Sequence, residues 1–409
     1  MSNGISKTKL KLMLLVLFLI FATDAALVST NNIRIWARFS WIIIGLFVCF
    51  QIFSVRFLNY EVFYLGLYTA SIMLTMIFAN KSIHINYLQR VMLLWFSAII
   101  VKKIMYNDFM SLLIELMRFI AIISLIGFIF SEQIINNKNI FDLYTGDLQF
   151  KSLIFTNVPC FGLARNYGPF WEPGAYQLYL NWIILYEIRN PDSFNSKDIF
   201  LFGITIITTK STSGVVIFGL IVLYYILFVS NQKAGKTPHL IYKLVILFCS
   251  VILVLLIFNM DGFRDVLFSK VIAFITNPDT LNSANISAFT RFHSITANIA
   301  SFLKNPIFGK GIHGLAQSFM DDYGLTSNTN SILAMGATFG TIPFLLYLIL
   351  FLRSSKNSEN IIAQLMFLLI LFIMYSVENL MVSVIFFIIL FYESSLFIDH
   401  RVVDSIDNY

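Results

Sequence analysis

Long apolar runs separated by short polar breaks set the pattern of this chain. A helix that crosses a hydrocarbon core needs about 20 apolar residues, with a range of about 17–25. Measured against that length, the pattern predicts about twelve membrane-crossing helices, near 12–28, 39–55, 62–79, 88–106, 111–130, 174–188, 198–210, 213–230, 240–258, 331–352, 360–376 and 380–398. The runs are continuous rather than alternating every second residue, which excludes an outer-membrane barrel. Two polar intervals interrupt them, 131–172 and 259–330. The expected fold is all-α, a single integral membrane domain over 1–409. The first run has a basic start (Lys7, Lys9, Lys11) and small residues near 22–26, like a signal peptide. With so many runs behind it, a retained first helix is the expectation.

Composition points the same way. The chain is 58% hydrophobic and 12% charged, against about 25% charged in soluble domains. The net charge of +6 comes mostly from Lys and Arg flanking the runs, so it does not mark a nucleic-acid surface. Cys49, Cys160 and Cys249 lie far apart and show neither metal spacing nor a disulfide framework. With the N-terminus inside, the inner loops hold Arg56, Lys102, Lys103, Arg189, Lys197, Lys233, Lys236, Lys243, Arg353 and Lys356. The short outer loops hold fewer cations: Arg34, Arg38, Lys81, Arg90 and Lys210. That bias puts both termini in the cytoplasm and both long polar segments on the opposite face. No internal repeat stands out, which disfavours transporters built from duplicated halves.

The first polar segment ends in Ala164-Arg165-Asn166-Tyr167-Gly168-Pro169-Phe170-Trp171-Glu172-Pro173-Gly174. Gly and Pro shape a defined turn here. A guanidinium and a carboxylate held at a membrane boundary are a functional-site candidate; an interfacial salt bridge is the plainer reading. Arg165 suits phosphate oxygens through its planar fork, and Glu172 can act as a general base once partly desolvated. Tyr167, Phe170 and Trp171 can line a sugar platform or anchor the chain at the interface. Downstream, Lys210-Ser211-Thr212-Ser213-Gly214 can help bind an anion or simply form a short hairpin loop. Within the runs, Asp24, Glu115 and Arg118 are ionisable, and Glu115 and Arg118 are spaced to pair on one helix face.

The second segment carries Asn259-Met-Asp261-Gly262-Phe-Arg264-Asp265, then Arg291 and His293 on an amphipathic stretch, 288–304. Asn305-Pro306-Ile-Phe-Gly309-Lys310-Gly311-Ile-His313-Gly314 follows. Its glycines fit a tight turn, since no phosphate-loop pattern or preceding strand is present. His293 and His313 lack zinc spacing. Asp321-Asp322 fits a solvated turn or a divalent-cation contact. Asn328 and Asn330 include a helix cap, with a sugar-hydroxyl contact as the alternative. Glu378-Asn379 stands at the last outer turn.

These residues resemble the Wzy-type O-antigen polymerases, within the wider polymerase and O-antigen ligase superfamily. The likeness covers most of the chain by hydropathy and rests on four local matches. Arg165 through Gly174 looks like the family's Arg–Gly–Glu-Pro-Gly segment before a span. Thr209-Lys-Ser211-Thr-Ser213-Gly214 is similar to its Ser-rich, Gly-ended turn. Arg291 followed by Asn305-Pro306-Ile-Phe-Gly309-Lys-Gly311 looks like the outer-loop Arg and its Pro–Gly-x-Gly turn. Asn330-Ser-Ile-Leu-Ala-Met-Gly336-Ala-Thr-Phe-Gly340 is similar to the helix that closes the large loop. Thr329 stands where the ligases carry His, which favours polymerase over ligase.

The resemblance implies a GT-C-like membrane glycosyltransferase of the bacterial inner membrane, with 131–172 and 259–330 as periplasmic segments. It implies joining of undecaprenyl-pyrophosphate-linked oligosaccharide units for lipopolysaccharide O-antigen. Neither cofactor nor metal is expected. The expected partners are the lipid-linked glycan, membrane lipid and a chain-length regulator protein, with no nucleic acid. Arg165, Glu172 and Arg291 are the expected catalytic residues. Tyr167, Lys210, Lys310, His313, Asn328 and Asn330 are the expected substrate contacts. A ligase, and a flippase or other transporter, stand as alternatives.

Overall fold

The structure is a computed structural model and describes residues 34–80, 84–136, 142–145, 148–151, 165–229, 286–324, 328–355 and 360–397. The expected spans near 12–28 and 240–258, Asp24, both chain ends and the opening of the second polar segment lie outside the described residues.

Helices dominate the described residues. In chain order they are α1 (Arg34–Ile52), α2 (Asn59–Thr75, running on into a π-helical turn at Met76–Asn80), α3 (Ile85–Lys103), α4 (Tyr106–Ile129) and α5 (Ser131–Asn136). There follow α6 (Pro173–Arg189), α7 (Ser196–Thr208), α8 (Thr212–Tyr224), α9 (Ile286–Lys304) and α10 (Ile312–Tyr323). The last four are α11 (Ser331–Phe339), α12 (Thr341–Ser354), α13 (Ile361–Val377) and α14 (Val384–Glu393). The all-α expectation meets one departure. Strands β1 (Asp142–Thr145) and β2 (Leu148–Lys151) form an antiparallel hairpin with Asp142 opposite Lys151, inside the first polar segment.

Among the described residues, three helical stretches are long and apolar enough to cross a membrane: Asn59–Ala79, Tyr106–Ile129 and Thr212–Val229. Shorter apolar helices include α12, α13 and α14. On α12 and α13 the outward face is as apolar as the inward one. On α13, Ile361, Leu365, Leu369 and Phe372 are exposed while Phe367, Ile370 and Met374 are buried. A helix that is apolar all round suits a hydrocarbon surround rather than water.

The described residues divide into two compact units, with the boundaries inside α4 and α9. One holds Arg34–Leu113 and the chain from His293 onward; the other holds Ile114–Phe292. In the first unit α14 is buried along its whole length and packs on α3 and α12. In the second unit α6 is the central helix, buried from Pro173 to Ile188, with α7 and α8 against it. Buried polar groups need partners: Asn181 Nδ2 donates to Gln177 Oε1 at 2.8 Å and to the Gly214 carbonyl at 3.2 Å.

Two expected spans are broken. The run 331–352 divides at Gly340 (φ +85°) into α11 and α12. The cause is a docked turn. Lys310 N–H donates to the Ala337 carbonyl at 2.8 Å, and Gly311 N–H to Thr338 at 3.0 Å. Thr341 N–H donates to Pro306 at 2.8 Å. The 305–311 turn thus satisfies carbonyls that end α11, groups a helix leaves orphaned. Only glycine fits at the contact: a Cβ on Gly309 (φ +66°) would lie 2.3 Å from the Thr338 oxygen, and one on Gly340 2.1 Å from the Ile307 oxygen. The run 380–398 is also interrupted. Leu380–Val382 is a 3-10 turn, and Ser383 then caps α14 by accepting from Phe386 N–H.

Candidate functional site

In the second unit, the 165–174 turn is fastened by Asn166. Its Nδ2 donates to Ser124 Oγ (3.1 Å) and Thr208 Oγ1 (3.0 Å), and its Oδ1 accepts from Gly168 N–H at 3.0 Å. Phe170 is fully buried, with its ring on Tyr176 (centroids 5.2 Å apart) and Tyr179 (4.8 Å). Tyr167 is buried too. Both rings therefore belong to the packing that fixes the turn.

Arg165 reaches across to the α7–α8 connection. Its Nε donates to the Thr209 carbonyl at 3.1 Å and its Nη2 to the Lys210 carbonyl at 3.2 Å. Cations favour helix C-termini for this reason. The bonds hold Lys210 in a left-handed conformation (φ +49°) that a non-glycine residue rarely adopts. Lys210 Nζ lies 5.7 Å from the centroid of Phe128. Burial pushes its ammonium below the ordinary lysine range, and the neighbouring Arg165 charge pushes the same way. Ser211 then caps α8, accepting from Gly214 N–H, and bonds Ser213 Oγ at 3.1 Å. Buried Thr212 Oγ1 lacks a partner among the described residues. Arg165 is thus neutralised in part by the carbonyls that end α7, while the Lys210 ammonium faces the Phe128 ring.

Glu172 is the residue before α6, half-buried, with Pro173 supplying the first helical position. Its carboxylate makes no cap bond. Arg291 lies on α9, half-buried, with its Nε lacking a partner among the described residues.

The other expected contacts belong to the first unit, so the list does not fall into one compact unit. Lys310 Nζ bonds Ser318 Oγ. His313 lies against His84 with the rings tilted by 50° and their centroids 4.3 Å apart. Asn328 exchanges amide bonds with Asn298 at 2.8 and 3.0 Å and accepts from Asn330 N–H at 3.2 Å. Asn330 caps α11, accepting from Leu333 N–H at 2.9 Å.

Arg118 feels the Glu115 charge on its own helix, as the spacing suggests, but its hydrogen bonds go elsewhere. It forks onto Asp198 at the start of α7, Nε to Oδ1 at 2.7 Å and Nη2 to Oδ2 at 2.6 Å. Spacing along one helix cannot reveal a partner eighty positions away. Arg90 was legible only as a loop charge, yet it lines a cavity in the first unit. Among the described residues no group of three His, Cys, Asp or Glu could hold a metal ion.

The chain matches no family model and no curated relative.

Proposed function

We propose that the chain is an O-antigen polymerase, joining undecaprenyl-pyrophosphate-linked repeat units at the periplasmic face of the bacterial inner membrane. In this reading it is a polytopic glycosyltransferase of about twelve membrane helices with both termini cytoplasmic. The observation that carries it is the α7–α8 connection, where Arg165 donates to the Lys210 carbonyl and its charge acts against the Lys210 ammonium. Crowding two cations in a half-buried place is unfavourable until a multiply charged anion joins them. A diphosphate leaving group is such an anion.

The step balances simply. The acceptor hydroxyl oxygen attacks the anomeric carbon of the donor glycan. The bond from that carbon to the diphosphate oxygen breaks, and its electron pair leaves with the diphosphate. The hydroxyl proton passes to Glu172. Arg165 and Lys210 stabilise the charge that grows on the departing oxygens, and Arg291 serves the second diphosphate. Thr329, in place of the ligase histidine, sets this reading above attachment of glycan to lipid A core.

Complementation of a polymerase-deletion strain tests it. Wild type is expected to restore a polysaccharide ladder, and Arg165→Ala and Lys210→Met to leave core plus a single repeat unit. Full ladders from both variants would overturn the assignment.

A further inference from the structure

We infer that the first unit carries a separate oxyanion site, built around Arg90 and sized for one phosphate group. A cavity of about 160 Å³ opens beside α3 and α10. That is below the roughly 300–1,000 Å³ of pockets that hold drug-sized ligands, so it suits a headgroup and not an oligosaccharide. Arg90 is half-buried on its wall. Arginine carries five N–H donors, and one of them, on Nη1, goes to the Met381 carbonyl at 3.0 Å. No other protein partner takes the rest among the described residues.

The surroundings fit an anion. Among the lining residues there is no Asp or Glu. Asn379 lines the cavity and uses its Oδ1 to accept from Met381 N–H at 3.3 Å, which leaves its Nδ2 as a donor. Thr338 adds a hydroxyl. A guanidinium fork with an amide and a hydroxyl beside it matches a tetrahedral oxyanion. The remaining walls include Leu315, Phe319 and Phe339, so the chemistry is a phosphate next to apolar surface. A phospholipid headgroup and free inorganic phosphate both present that group. The cavity is anchored from two sides: Ile312 N–H donates to Tyr87 Oη at 2.9 Å, and Arg90 itself holds the 380–382 turn.

This site does not rest on the polymerase reading, because its test measures binding and not chain growth. Full-length chain in phosphatidylcholine nanodiscs is titrated calorimetrically with sodium phosphate at fixed ionic strength. Parallel nanodiscs doped with phosphatidic acid are assayed for retained lipid by native mass spectrometry. Both use wild type and the double variant Arg165→Ala with Lys210→Met, which removes both cations of the other cluster. Arg90→Gln is expected to lower affinity about tenfold or more, the scale of a charged hydrogen bond. Ala316→Trp, at an exposed position on the cavity wall, blocks the site without touching the charge and decides the matter if Arg90→Gln fails to fold. Sensitivity of inorganic phosphate to these changes identifies a free anion as the source. Sensitivity of phosphatidic acid alone identifies a lipid headgroup. Binding of neither, or binding indifferent to both substitutions, overturns the proposal.

Discussion

Gly309→Ala tests the docked turn most directly. The substitution places a methyl in a left-handed backbone (φ +66°), 2.3 Å from the Thr338 oxygen and 2.6 Å from the Phe339 nitrogen. The conformational cost is about 1–2 kcal/mol. The clash is with backbone, so no rotamer change relieves it, and the turn must lift away. Lifting breaks the bonds from Lys310 N–H to Ala337 and from Gly311 N–H to Thr338, each at about 1–3 kcal/mol when the partner stays buried. Alanine returns about 0.4–1 kcal/mol by restricting the unfolded chain. The net destabilisation is about 2–8 kcal/mol.

The assay is reversible unfolding in mixed micelles against denaturing detergent. Two controls separate the contributions. Gly324 has a similar φ (+65°) but open space around it, so Gly324→Ala should show the conformational cost less the unfolded-chain gain, about 0–1.6 kcal/mol. Gly66 has neither positive φ nor a neighbour within 4 Å, so Gly66→Ala inside α2 should gain about 0.5–1 kcal/mol. Gly340→Ala breaks the same contact from the other side, so the double variant should cost clearly less than the two singles combined. A Gly309→Ala value no larger than that of Gly324→Ala would refute the reasoning.

Other outcomes follow from the two units. Removing Arg165 should slow chain growth in a reconstituted assay by the loss of one preorganised donor, about 2.7–4 kcal/mol of barrier, with membrane insertion unchanged by protease protection. Glu172→Gln should abolish growth while leaving thermal unfolding unchanged, because its carboxylate makes no cap bond; ladders of unchanged length would remove it as the base. Because burial, and then the Arg165 charge, lower the Lys210 pKa, its ammonium deprotonates before an ordinary lysine as pH rises. Activity should therefore fall early on the alkaline side, and Lys210→Arg should abolish that limb of the pH profile. The linkage sign is that this lysine disfavours the fold while charged, so its contribution to stability improves as pH climbs through its folded-state pKa. In the first unit Lys102 Nζ lies 2.6 Å from Glu61 Oε1, with both side chains buried. Lys102→Met alone should cost about 3–5 kcal/mol by stranding the carboxylate, and a second change, Glu61→Leu, should recover much of it.

Much of the local structure was legible in the chain. Continuous apolar runs mark helices in an apolar surround, because a backbone with no water to bond must satisfy itself. Asn195, Ser211, Asn330 and Asn360 cap helices, and a cap depends only on the few residues beside it. The Gly309–Gly311 turn was legible for the same reason. The break at Gly340 was not. An apolar run looks the same whether or not another segment supplies donors to end it, and here those donors come from the 305–311 turn. The aromatics of the 165–174 segment read as a sugar platform or an interface anchor; Phe170 is neither but core packing, its ring set against Tyr176 and Tyr179.

The sequence by itself determined helix type, apolar class and caps, since these depend on composition and near neighbours. Tertiary structure alone decided partnership. Arg165 meets the Lys210 carbonyl, Arg118 meets Asp198, and Arg90 fronts a cavity. Each of these rests on atoms far apart in the chain, brought together by packing that no local pattern encodes.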